Sequence, residues 1–156
     1  MKRAVFPGSF DPFTRGHEHV VRKGLALFDE VIVAVGTNTS KNAMFSLKDR
    51  MSMIQELFRD VNRLKVMELE GLTVDFCEKH EASYILRGLR DSKDFSYEKS
   101  IAIMNGSMSP ELETVFLLTS PELVGISSSI LREILRNKGD IRPFLPEGMP
   151  FVHPFT

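Results

Sequence analysis

Short apolar, largely β-branched runs alternate with segments of helical periodicity along nearly the whole chain. The runs fall at residues 2–7, 30–37, 64–69, 83–87 and 113–119, and their shortness and mostly apolar character predict strands covered on both faces by helices. Between them, residues 17–28 place Val20, Val21, Gly24, Leu25 and Phe28 on one stripe. Residues 47–59 do the same with Met51, Ile54, Leu57 and Phe58, behind a capping pattern that starts at Ser46. Helical segments at 73–80, 97–108 and 128–137 complete a β-α-β-α order. Right-handed crossovers then require an α/β domain: a doubly wound, Rossmann-like, parallel five-stranded sheet, with ligands beyond the carboxyl ends of its strands where the strand order reverses.

The chain has 156 residues, which fits one domain spanning 1–156. Lys+Arg is 20 and Asp+Glu 21, a net charge of −1, so no general attraction to nucleic acid or to an anionic membrane is expected. Cys77 is the one cysteine and no apolar run reaches the ~20 residues of a membrane span, so a cytoplasmic protein is expected. From about residue 140 the chain turns irregular and Pro-rich, and its Phe144, Leu145, Phe151 and Phe155 are expected to pack on the domain or on a neighbouring subunit.

The first predicted strand runs into Pro7-Gly8-Ser9-Phe10-Asp11-Pro12-Phe13-Thr14-Arg15-Gly16-His17, where a helix opens. Gly8 lets backbone approach a ligand and Ser9 supplies a hydroxyl. Thr14 as N-cap puts Gly16 and His17 in the first helical turn, whose unpaired N–H groups and positive dipole end suit a phosphate. His17, expected to be exposed and to contribute little to packing, adds a donor for a phosphoryl group that gains charge during transfer. A turn whose histidine merely packs or caps is the alternative. The loop matches neither GxxxxGK[ST] nor GxGxxG, which disfavours P-loop hydrolysis and hydride transfer. Asp11, followed by Pro12, is expected to shape the turn, with a part in arranging Mg²⁺ as the alternative.

A second candidate phosphate loop, Ile126-Ser127-Ser128-Ser129-Ile130-Leu131-Arg132, also precedes a helix. Lys41, Arg87 and Arg90 each follow a predicted strand's carboxyl end, where the ligand belongs. Cys77 reads as a packed thiol, His80 as a helix-end cap, and Met44, Met51, Met104 and Met108 as core filler. His17 and His19 diverge on a helix and cannot form a metal pair, and His153 belongs to the tail.

GSFDPFTRGH is similar to the GxFDPxxxGH form of the (H/T)xGH signature of nucleotidylyltransferases, and ISSSILR to their second signature, ISSSxxR. With RGLR at 87–90 and DFSYE at 94–98 between them, the chain closely resembles the bacterial phosphopantetheine adenylyltransferase family over about residues 2–148. That resemblance implies transfer of the adenylyl group of ATP to 4′-phosphopantetheine, giving dephospho-coenzyme A and pyrophosphate with Mg²⁺, in a homohexamer. It implies ATP contacts from Ser9, Phe10, His17, Gly88, Arg90, Glu98, Ile126, Ser127, Ser128 and Ser129. It implies acceptor contacts from Ser9, Lys41, Leu72, Thr73, Arg87, Ile101 and Asn105, with His17, Lys41 and Arg90 as the catalytic set and no dedicated metal ligand. Thr73 stands where the family often has an apolar residue, typically methionine, and the tail departs from relatives that end in a further helix. Adenylation of a nicotinate mononucleotide and a non-catalytic ATP-binding module are the other readings. The size excludes a tRNA synthetase with related loops.

Overall fold

The computed structural model describes residues 1–37 and 42–156. Strands β1 (Arg3–Gly8), β2 (Glu30–Gly36), β3 (Leu64–Leu69), β4 (Tyr84–Leu89) and β5 (Glu113–Leu118) form one parallel sheet in the order β3-β2-β1-β4-β5. The order reverses between β1 and β4, so the crevice that a doubly wound sheet offers a ligand lies beyond Gly8 and Leu89.

Side-chain alternation divides the core in two. Ala4, Phe6, Val31, Val33, Val35 and Leu86 face a cluster with helices α1 (Arg15–Leu27), α2 (Leu47–Leu57) and α5 (Ser128–Arg136). Val5, Ile32, Ala34 and Ile85 face a second cluster with Val74, Phe76 and Cys77 of α3 (Thr73–Lys79). α1 lies close on β4 because two glycines leave room for it. A Cβ on Gly24 would come within 2.5 Å of Leu86, and one on Gly88 within 2.7 Å of Val20.

Caps and strand pairing shift three of the predicted elements. α1 starts at Arg15, two residues earlier than the apolar stripe suggests, because Thr14 caps it by accepting from His17 N–H. β4 runs on to Leu89, held by pairing of Gly88 with Leu117 and Leu89 with Leu118. Helix α4 (Ser92–Met108) starts at Ser92, five residues before the predicted 97, because Asp91 caps it through Asp94 N–H. Met104 and Met108 of α4 are exposed, which corrects their reading as core filler, whereas Met44 and Met51 pack against the larger cluster. The tail carries a short 3₁₀ turn (Arg142–Phe144) and buries Ile141, Leu145 and Met149, while Phe151 meets the Phe45 ring edge-on at 6.3 Å. Among the described residues, no helix is long and apolar enough to cross a membrane.

Candidate active site

Two cavities meet beyond the carboxyl ends of β1 and β4. The larger, about 340 Å³, is lined by the first loop and first turn of α1, by Gly88 and Arg90, and by the start of α5. The smaller, about 280 Å³, runs between the ends of β2 and β3, Thr73, and Ile101, Ala102 and Asn105 of α4. Pro7, Gly8, Ser9, Arg87 and Glu98 line both, so these residues form the wall through which the two spaces communicate.

Arg87 and Glu98 occupy that wall as a pair. Arg87 Nε donates to Glu98 Oε2 at 2.7 Å, its Nη2 to Oε1 at 2.5 Å, and its Nη1 to the Pro7 carbonyl at 2.6 Å. A guanidinium has five N–H donors, so this leaves donors over for an anion. Arg90 is more exposed and turns back onto Asp94, which also accepts from the Arg90 backbone N–H; burial opposes the charged carboxyl, but these arginine contacts hold the Asp94 pKa below its usual value.

His17 completes a capping box: its main-chain N–H donates to Thr14 Oγ1, and its Nδ1 accepts from Thr14 N–H at 3.0 Å. A ring nitrogen that accepts carries no proton, so the proton of the neutral imidazole sits on Nε2, free to be donated. The ring is packed among Phe6, Phe10 and Phe13 at centroid distances of 6.2, 5.0 and 5.3 Å. Burial in this apolar setting lowers its pKa to about 3, with Arg87 and then Arg90 adding to the shift. His17 is therefore a neutral donor at physiological pH. The expectation of an exposed side chain with little part in packing is corrected: this histidine packs, caps and lines the cavity at once.

The second loop joins the first directly. Ser127 caps α5 by accepting from Ile130 N–H, Ser128 Oγ donates to the Pro12 carbonyl at 2.8 Å, and Arg132 Nη1 donates to the Asp11 carbonyl at 2.8 Å. Two helix N-termini, those of α1 and α5, thus open onto one cavity, each with its positive dipole end. Asp11 has the backbone role expected of it, over a longer reach than a turn. Its buried carboxylate accepts from the N–H groups of Met44 and Phe45 at 2.9 and 2.8 Å and so ties the first loop to the approach to α2.

All ten residues expected at ATP line the larger cavity: Ser9, Phe10, His17, Gly88, Arg90, Glu98, Ile126, Ser127, Ser128 and Ser129. Ser9, Thr73, Arg87, Ile101 and Asn105 line the smaller one. Leu72 lines neither and is exposed, because its main chain caps α3 while its side chain stays in solvent. Lys41 lies outside the described residues. Arg132, Thr119 and Asp94 line the larger cavity and were not singled out for the site. Arg132 stands in the ISSSILR motif itself, and that position was the available signal.

Among the described residues no cluster of three or more His, Cys, Asp or Glu could hold a metal ion. The carboxylates that line the larger cavity, Asp94 and Glu98, are held by arginines. Such a site fits a divalent cation carried mainly by substrate phosphates and water, with hydroxyls of the cavity wall, those of Ser9 and Ser129 among them, as neutral oxygens.

Paired helix N-termini, arginines and a neutral histidine around a cavity at the switch point define a nucleotidyltransferase-type site, and the cytidylyltransferase-like family model matches residues 5–134. A solved bifunctional NMN adenylyltransferase/ADP ribose pyrophosphatase from Francisella tularensis, complexed with AMP and a manganese ion, superposes with a TM-score of 0.72 at 18% identity, covering 96% of this chain and 45% of that one, and so shares the fold. Phosphopantetheine adenylyltransferases of Flavobacterium psychrophilum and Bacteroides thetaiotaomicron are 48% and 47% identical over 149 residues, 96% of this chain and 98% of each relative. The chain belongs to the phosphopantetheine adenylyltransferase family.

Proposed function

We propose that the two cavities hold the two substrates of one adenylyl transfer, ATP in the larger and 4′-phosphopantetheine in the smaller. The chain is an adenylyltransferase of coenzyme A biosynthesis: a phosphate oxygen of 4′-phosphopantetheine attacks the α-phosphorus of ATP, the bond to the β-phosphate oxygen breaks, and dephospho-coenzyme A and pyrophosphate leave. The observation that carries the assignment of cavities is the shared wall of Gly8, Ser9, Arg87 and Glu98, where nucleophile and α-phosphate can meet.

The acceptor phosphate is a nucleophile as it stands, so the protein needs to position and neutralise rather than activate. Arg87, steadied by Glu98 and Pro7, keeps donors for that phosphate. His17 donates its Nε2 proton as a hydrogen bond to an α-phosphate oxygen whose charge grows toward the transition state. The N-terminus of α5 with Ser128, Ser129 and Arg132 receives the departing pyrophosphate, and Arg90 with Ile126 and Ser127 completes the nucleotide side. Bound Mg²⁺ supplies neutralisation of phosphate charge.

The nicotinate mononucleotide reading has less support, because Leu69, Ile85 and Ile101 give the smaller cavity an apolar wall that suits the pantetheine arm better than a second charged nucleotide. Self-association into a homohexamer, in the cytoplasm, is part of the same proposal. In support of it, Phe95, Tyr97, Ile103, Met104 and Met108 of α4 and Leu118 of β5 are large apolar side chains left exposed, the residue type that a subunit interface covers. Light scattering tests the assembly against the 17.7 kDa chain mass. The cavity assignment is tested by Arg90→Ala and Asn105→Ala. The first raises KM for ATP and the second KM for 4′-phosphopantetheine, each leaving the other constant within about threefold; the reverse pattern overturns it.

A further inference from the structure

Arg50 lines neither cavity, and nothing in the reaction described above uses it. It is fully buried in α2, yet among the described residues no carboxylate is hydrogen-bonded to it. Its Nε donates to the Phe45 carbonyl at 3.2 Å, and its Nη1 to the carbonyls of Ser9 at 2.6 Å and Gly36 at 3.1 Å. Its Nη2 is buried and has no partner among the described residues. A buried cation is expensive unless fully hydrogen-bonded, and an apolar side chain would fill this space at less cost, so packing alone does not account for it.

The three carbonyls share a location. Ser9 lines both cavities, Gly36 ends β2 and lines the smaller one, and Phe45 is the residue whose N–H Asp11 holds. The shortest of the three bonds, to Ser9, precedes a residue of unusual backbone: Phe10 has φ +48°, a left-handed conformation rare for a bulky aromatic. Such a conformation persists where its surroundings over-determine it. The Ser9–Phe10 peptide is planar and trans, so fixing the Ser9 carbonyl on Arg50 turns Phe10 N–H the opposite way. Among the described residues that N–H donates to no protein acceptor, and Phe10 lines the larger cavity.

We infer that Arg50 is a positioning residue for adenylyl transfer: it holds the Ser9 carbonyl so that Phe10 N–H is presented as a fixed donor to a phosphate of ATP, and it binds that loop to the end of β2 beside the acceptor cavity. The inference rests on ATP occupying the larger cavity. Lysine keeps the charge but is a point donor that cannot span carbonyls from three segments, so the effect belongs to the guanidinium fork.

The test compares Arg50→Lys with Arg59→Lys, a control exposed just beyond the same helix. Arg50→Lys, folded by circular dichroism, is expected to lose about tenfold or more in kcat/KM for ATP while KM for 4′-phosphopantetheine stays within about threefold. Arg59→Lys is unchanged. Wild-type constants in Arg50→Lys, or a loss accounted for entirely by an unfolded fraction, overturn the inference. Should Arg50→Lys fail to fold, amide hydrogen exchange on the wild-type protein decides: a non-hydrolysable ATP analogue is expected to slow exchange at Phe10 about tenfold. Slowing at Gly16 and Ser129 without Phe10 refutes the role of Arg50 and leaves the ATP site standing; slowing at none of them refutes the ATP site itself.

Discussion

Glu98 holds Arg87 by two hydrogen bonds, at 2.7 and 2.5 Å, in the wall that the two cavities share. The pair fixes the guanidinium in one orientation while leaving donors for an incoming phosphate. Arg87→Lys breaks this fork and supplies only a mobile point charge. We expect kcat/KM for 4′-phosphopantetheine to fall by about tenfold or more, with KM for ATP changing less. Steady-state kinetics varying each substrate in turn check it, and unchanged constants remove Arg87 from the acceptor site.

His17→Ala removes the proposed α-phosphate donor. kcat is expected to fall by about 10²–10³-fold, the usual effect of losing one preorganised donor, with little change in the Kd for ATP. Because the ring is packed against Phe6, Phe10 and Phe13 and caps α1, the variant also loses stability, and kcat must be measured per folded molecule. His17→Asn, whose amide oxygen can accept from Thr14 N–H, recovers the capping part of that stability without recovering kcat. Recovery of both assigns His17 to the cap alone.

Acid exposes the same residue. The folded pKa of His17, about 3, lies below the ordinary 6.5, so the unfolded chain takes up the proton first as pH falls. Stability from this group is complete above pH 6.5 and is lost progressively down to about pH 3; at pH 5 the loss is about 2 kcal/mol. Urea unfolding at pH 7.5 and 5.0 should show a larger drop in wild type than in His17→Asn. Equal drops contradict a buried neutral imidazole.

Asp11→Ala strips the acceptor from Met44 N–H and Phe45 N–H and removes the carboxylate whose field acts on buried Arg50. The cost is about 3 kcal/mol, roughly 6–12 °C in Tm. Calorimetry checks it; a shift under about 2 °C would show that the approach to α2 holds its place without Asp11.

Much of this was legible in the sequence because it is local. β-branched runs set the strands, Thr14 and Ser127 announce their helices, and the two motifs sit where the strand order must reverse. What was not legible depends on partners far along the chain. The early start of α4 rests on a single Asp91 cap ahead of a polar stretch without an apolar stripe. The burial of Arg50 requires Ser9, Gly36 and Phe45 to converge, and the packing of His17 requires phenylalanines from β1 and the loop to close around it. The exposed apolar side chains of α4 offer no periodic signal, since apolar residues lie all round that helix.

The identity of the acceptor decides the function, and one assay addresses it: pyrophosphate release by the purified protein with ATP and Mg²⁺, comparing 4′-phosphopantetheine, pantetheine and nicotinate mononucleotide. Turnover with 4′-phosphopantetheine, and poor turnover with pantetheine, which lacks the phosphate that both attacks and engages Arg87, is the expected result. Turnover with either of the other two and none with 4′-phosphopantetheine would contradict it.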